Sequence, residues 1–599
     1  MSAATTTSET TNAVYKRPSW FRRRFNVLAT LMVLLVVLFG YVIGPMIATA
    51  RRSLSTDRID TIGVSFHAWD QFFLSNAQHS AIVGSIVLAI LSVIAAGILG
   101  TGVAVLLTRW EFPGRRVCQV LALLPIALPP LMGVWAFKLL VGVGGRIPFA
   151  LHEWFGIAPK DFWLKGLAGV LVVHAMTMYP YFYLTVSAAL MSSDVSLEEA
   201  SYSMGASKAR TWLKVIFPML TPAIVAGSLI TFMSSMSSYT APLLFQYTNV
   251  MTQQIVIAKS NGDMRLASII ATMLAVISIG FLAAIRGYEQ RKIYRTQSKG
   301  GGRQRSAVTS PVVRVVIAAV AIPLTIVLIL PIIMILVLSV TAKGGWLATI
   351  LPTHYTLEWY AQMFSGVDFW RPVTNSLLMS LIAVGGAVLL GAGAAYIMSR
   401  MKFRGKLALD IAIMLPWALP GTVVAINLIT AFADPSPFAA GRVLVGTFAI
   451  LPLAYFVRFN PLIFRSSYAS WAQLDPNLED AARSLGATWW YTFRTVVLPL
   501  VSRGIMAGAL LAFVDGVGEF VASVLIYTPE WTPLSIEINN QNYQGNIGTG
   551  AVYGMIQVLL VLGVLIVTRR MGTRSNAVSP GGLQRSVRHD AVLTLTGPH

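Results

Sequence analysis

The chain is expected to fold as an all-α polytopic membrane protein, with about twelve transmembrane helices in two parallel-repeat halves of six. Three observations lead there: the apolar share of the composition, the length of the apolar runs and an internal repeat. Of 599 residues, 55% are hydrophobic and only 12% charged, which argues against a soluble class. Runs such as 27–49, 81–107 and 312–340 reach or exceed the roughly 20 residues that cross a ~30 Å hydrocarbon core. Sliding Gly205 onto Gly486 (486 − 205 = 281) superposes Asp194 on Asp475, Leu197 on Leu478, Glu198 on Glu479 and Ala200 on Ala481. The same offset runs on without a gap to Phe232 on Phe513.

In chain order, residues 1–25 read as a polar tail on the cytoplasmic side that turns basic at Lys16–Phe25. The run after it ends in Ala48-Thr49-Ala50, which imitates a signal cleavage site. Its length exceeds the 7–15 residue apolar core of a signal peptide, so an uncleaved first span is expected. The first half, 26–285, places spans near 27–49, 81–107, 117–141, 166–190, 220–245 and 266–285. Residues 286–311, basic and rich in Gly and Ser, are too polar to cross and serve as a linker. The second half, 312–568, repeats the series near 312–340, 376–398, 408–432, 443–464, 504–526 and 549–567, and 569–599 form a second basic tail. An even number of spans returns the linker and both termini to the cytoplasm, the side that Lys and Arg favour. Arg51, Arg52 and Arg58 fall on the outer side, against that bias.

The net charge of +21 is thus assigned to topology, since its basic residues form short clusters between apolar runs; lipid, and not nucleic acid, is the expected partner. A single cysteine, Cys118 in an apolar run, excludes a disulfide framework or a Cys-based metal cluster. No cofactor or bound metal is expected.

A second register, offset 291, pairs Leu124-Pro125 with Leu415-Pro416, Ala127-Leu128-Pro129 with Ala418-Leu419-Pro420, and Phe112 and Gly114 with Phe403 and Gly405. With an even span count in each half and both copies of each motif on one side, the repeat is parallel and its pseudo-two-fold axis lies along the membrane normal. The prolines at 125, 129, 130, 416 and 420 are expected to break the third and ninth spans.

Before its fifth span each half carries a long polar loop, 192–218 and 474–499. The loops resemble the cytoplasmic motif of binding-protein-dependent ABC permeases: Glu-Ala-Ala, three residues, Gly, nine residues, Ile-x-Leu-Pro. Glu199, Ala200, Gly205, Val215 and Pro218 match in the first copy, which departs at Ser201 and Phe217. Asp480, Ala481, Ala482, Gly486, Val496, Leu498 and Pro499 match in the second, with Asp480 in place of Glu. The resemblance implies two short helices joined at the Gly that dock into a groove of an ATPase. Gly allows the turn, small Ala side chains allow close approach, and the acidic residue can meet a base on the partner. An amphipathic interfacial helix without a partner would not explain the recurrence of the same loop.

The chain has no Gly-x-x-x-x-Gly-Lys-Ser/Thr phosphate loop, and its outer segments are short. The resemblance therefore implies a separate cytoplasmic ABC ATPase dimer and a separate periplasmic solute-binding protein, with this chain a non-enzymatic transport component of a bacterial inner membrane. Phe112-Pro113-Gly114-Arg115 ahead of Leu124–Pro130 resembles the ferric-iron permeases, so ferric iron is the expected solute. 2-Aminoethylphosphonate, thiamine or an inorganic oxyanion are the alternatives, the last because Gly518-Glu519-Phe520 is similar to sulfate and molybdate permeases. An ion-coupled secondary transporter would share the spans and the duplication but leaves the twin loops unexplained.

Ionisable residues inside spans are functional candidates. Asp515 and Glu519, four apart in the eleventh expected span, are expected on one helix face, opposite Ser234 and Ser238 of the first half. These four are candidates for the pathway or its gate, with packing as the competing role. Lys138 is expected to snorkel outward, and His174 to be a hydrogen-bonded packing histidine.

Overall fold

A bilayer offers no water to satisfy backbone groups, so an apolar chain spans it as helices. The computed structural model describes residues 31–291 and 310–576, apart from 56–62, 64, 159–161, 194, 347–348, 350, 366, 402 and 404. Among the described residues there is no strand beyond two isolated bridges. The tail 1–25, most of the linker 286–311 and the end of the tail 569–599 lie outside the described residues.

The principal helices of the first half are α1 (Leu31–Ser53), α2 (Asn76–Arg109), α3 (Arg115–Leu121), α4 (Pro130–Val141), α5 (Gly166–Ser192), α6 (Val195–Ser203), α7 (Phe217–Met236), α8 (Met251–Ser260) and α9 (Met264–Arg291). Those of the second are α10 (Pro311–Ser339), α11 (Arg371–Arg400), α12 (Lys406–Ala418), α13 (Gly421–Phe432), α14 (Ile450–Gln473), α15 (Pro476–Ser484), α16 (Leu498–Val517), α17 (Leu534–Tyr543) and α18 (Ile547–Asn576). By length and composition ten helices among the described residues can cross a membrane, or eleven with α12 and α13 taken as one span bent by 107°. The tenth expected span, α14, has the length, but Arg458, Asn460 and Arg465 make it more polar than the others. The third span is interrupted between α3 and α4 across Pro125–Pro130.

Each half is built on a three-helix packing unit, α2/α5/α7 in the first and α11/α14/α16 in the second. Around these units the halves interleave. α1 packs on α13 of the other half as well as on α9, while α10 packs on α3 and α4 of the first half and on α18 of its own. One continuous core accordingly joins Leu34 and Leu38 of α1 and Ile270 of α9 to Ile413, Ile426 and Phe432. Cys118 is buried in a core formed with Leu107, Tyr183 and Leu328, a packing position.

Candidate functional site: paired loops and a central pathway

The two polar loops fold alike, element for element. α6 is followed by Gly205 at φ +81°, a turn of helix at Lys208–Thr211, a π-turn at Trp212–Ile216 and α7; α15 is followed by Gly486 at φ +81°, a turn at Trp489–Thr492, a π-turn at Phe493–Val497 and α16. That left-handed φ is open to glycine and costly for most L-residues. No atom lies within 4 Å of where a Cβ would stand on either glycine, so backbone sign, not lack of room, makes the position a glycine. Pro218 and Pro499 fall two residues after the π-turns end, inside helices that run on from the loop. The wider turn accommodates the ring that would clash with the carbonyl four residues back.

Glu199, Ala200, Asp480 and Ala481 are exposed and Ala482 is half-buried. Beside each glycine an apolar side chain projects outward at the equivalent position, Met204 82% exposed and Leu485 89% exposed. The preceding acidic residues turn inward. Arg109 Nη2 donates to Glu198 Oε2 at 2.7 Å, and Arg400 Nη2 lies 2.7 Å from Glu479 Oε1.

The two fifth-position helices, α7 and α16, are not packed against each other along their length. Just beyond their ends, Tyr239 and Phe520 stack with ring centroids 6.1 Å apart and planes at 28°. These residues are themselves an offset-281 pair (520 − 239 = 281), so the stack marks the pseudo-two-fold axis; both are buried. Asp515, one turn earlier on α16, is exposed between buried Ala512 and Gly516. Tyr181 of the first half lies within electrostatic reach of Asp515 and near Ser234. Asp515 and Ser234, paired by the repeat, thus share Tyr181 as a neighbour.

Glu519 departs from the expectation of a shared helix face with Asp515. α16 ends at Val517 and Gly518 caps it, in keeping with glycine's poor helix propensity, so Glu519 lies in the turn beyond. Its carboxylate is buried against Arg458 of α14 and accepts from the Ala522 N–H at 2.8 Å. Its carbonyl accepts from the Ser523 and Ser535 hydroxyls at 2.9 and 2.6 Å. Ser238, its repeat mate, is met at 2.9 Å by His174 Nε2, while His174 Nδ1 faces Ser92 and Ser235 at 2.8 and 3.2 Å. His174 is fully hydrogen-bonded packing. Lys138 is half-buried over the Trp135 ring at 4.8 Å. Arg458 and Tyr181 were not among the sequence candidates; an arginine inside the expected span 443–464 was the available signal for the first.

Comparison with known proteins follows the same division into halves. The sequence pattern of the family described as "Binding-protein-dependent transport system inner membrane component" matches residues 96–293 and again 387–575, together more than half of the chain. A Sinorhizobium fredii protein named as a probable ABC transporter permease, y4fN, is 27% identical over 548 residues, covering 90% of this chain and 95% of its own. The ferric transport system permease protein FbpB of Actinobacillus pleuropneumoniae is 27% identical over 489 residues, 79% of this chain and 68% of its own. A Salmonella typhimurium permease named for 2-aminoethylphosphonate transport, PhnV, is 30% identical over 225 residues, 38% of this chain and 83% of its own.

Proposed function

Because the chain belongs to the family of binding-protein-dependent transport system inner membrane components, with the family's pattern present twice, we propose that it forms by itself the whole transmembrane pathway of an importer for ferric iron. An ABC permease of this family is a multi-pass component of an inner membrane. In our reading it takes its solute from a periplasmic binding protein and is driven by a cytoplasmic ATPase dimer, with both of its termini on the ATPase side. The observation that carries the reading is the pair of matching loops, each presenting an exposed apolar side chain, Met204 or Leu485, beside a left-handed glycine. One loop serves each ATPase subunit. Purified in lipid, the chain should show no ATP hydrolysis until an ATPase of this class is added; turnover by the chain alone sinks the proposal.

Tyr239 and Phe520 are the closed outer gate in this reading, and Asp515 faces the space below them. Ferric iron is favoured over a phosphonate because Asp515 is an exposed carboxylate there, while the nearby, partly exposed Arg458 is paired with Glu519. A permease named for ferric transport that matches 79% of this chain supports the same choice. Asp515→Asn should lower ferric uptake per folded transporter roughly tenfold, equivalent to about 1.4 kcal/mol, in proteoliposomes charged with binding protein and ATPase. Unchanged iron uptake, or 2-aminoethylphosphonate uptake that improves with the mutation, would move the assignment to the anionic solute.

A further inference from the structure

Each docking loop is fastened to the end of one long helix, and the other end of that helix is fastened to the gate. Arg109, the last residue of α2, holds Glu198 in the first turn of α6. Arg400, the last residue of α11, holds Glu479 in the first turn of α15. Each ion sits at the helix end whose partial charge it complements, cation at a C-terminus and anion at an N-terminus. Each guanidinium is covered by an indole: Arg109 by Trp212 at 4.8 Å and Arg400 by Trp471 at 5.6 Å. The arginines are an offset-291 pair and the glutamates an offset-281 pair, but the tryptophans are unrelated, since 212 + 281 is Phe493. The same joint has been closed twice from different sides.

At the far end, Ser85 of α2 accepts the Met251 N–H at 2.9 Å, and Ser376 of α11 accepts the Leu534 N–H at 2.7 Å. These are the first residues of α8 and α17. The next residue of each donates a hydroxyl to the backbone beside the gate, Thr252 to the Ser238 carbonyl at 2.8 Å and Ser535 to the Glu519 carbonyl at 2.6 Å. Ser238 and Glu519 immediately precede the stacked Tyr239 and Phe520. The two fastenings stand 24 residues apart on both helices (109 − 85 and 400 − 376), about 36 Å of unbroken α-helix.

We propose that α2 and α11 are struts that carry movement of the ATPase-docked helices to the gate, with Arg109–Glu198 and Arg400–Glu479 as their joints. The proposal rests on the reading of α6 and α15 as docking helices. Arg109 and Arg400 are positioning residues: they touch neither solute nor nucleotide and act by keeping loop and strut in one piece.

The test is charge reversal and exchange in the full chain reconstituted with its ATPase and binding protein. Arg109→Glu and Glu198→Arg, each alone, should cut solute imported per ATP hydrolysed about tenfold, within the range of measured coupling factors, while the ATPase still co-purifies. The double exchange should recover at least half of the ratio. An unchanged ratio in the single variants, whatever their yield, assigns the pairs to stability alone and overturns the proposal. So does a double exchange no better than the singles. Should the reversals not accumulate, Glu198→Gln together with Glu479→Gln keeps the shape, removes the charge and should lower the same ratio. Failure of the unmodified chain to bind the ATPase would instead refute the docking reading itself.

Discussion

Arg458→Leu should remove about 3–5 kcal/mol of stability, the cost of leaving one member of a buried ion pair without its partner. Glu519 is the member left behind, its side chain only 5% exposed, in a protein whose surroundings are lipid and not water. The arginine has a second task. A Cβ on Gly421 would come within 2.5 Å of its guanidinium, so Arg458 also fills the corner where α12 and α13 meet at 107°. Glu519→Leu alone should cost a similar amount, and Arg458→Leu with Glu519→Leu should recover most of the loss, because no uncompensated charge remains. Thermal unfolding of the four forms in one detergent measures the cycle. A single-variant loss below about 1 kcal/mol, typical of a solvated surface pair, would show that water reaches the pair and that it does not brace the corner.

Gly205→Val combined with Gly486→Val should reduce ATPase stimulation and uptake by more than tenfold while leaving the amount of folded transporter unchanged. At φ +81° a left-handed L-residue costs roughly 1–2 kcal/mol, and a β-branched residue is a genuine outlier there. The loop would relax by swinging Met204 and Leu485 away from their exposed posts. Insertion should not suffer, since both glycines face open space. Asparagine is the informative control because it tolerates this φ, so Gly→Asn at both sites should transport nearly as the parent does. Pull-down of the ATPase and uptake, measured side by side, decide. Normal binding by the valine pair, or asparagine as harmful as valine, contradicts the backbone argument.

The loops were legible in the sequence because they occur twice: the 281-residue offset aligns Glu198, Ala200 and Gly205 with Glu479, Ala481 and Gly486 however weak either copy is alone. The breaks in the third and ninth spans were legible because proline removes a donor and clashes with the preceding turn. Glu519 was misplaced onto the helix of Asp515 because apolarity runs on through Phe520–Ile526 while the helix ends at Val517. Hydropathy measures lipid compatibility and not the end of a hydrogen-bond ladder. The Arg109–Glu198 pair spans 89 residues, and nothing local announces it; the available signal was that the 291 register sets Arg400 opposite Arg109. The exchange of α1 and α10 between the halves was invisible for the same reason, since apolar faces that suit lipid equally suit either neighbour.

That exchange has a consequence for biogenesis. α1 is the first described span made by the ribosome, but its seat on α13 is synthesised only after a further 368 residues (421 − 53). At about 5–20 residues per second, its face toward α13 waits roughly 20–70 s in contact with lipid or insertion machinery. The N-terminal half cannot reach its final packing as a nascent domain, and a chain truncated before α13 releases a membrane helix with an unmet surface. Quality-control proteases of the membrane would meet the opening segment of such a chain first.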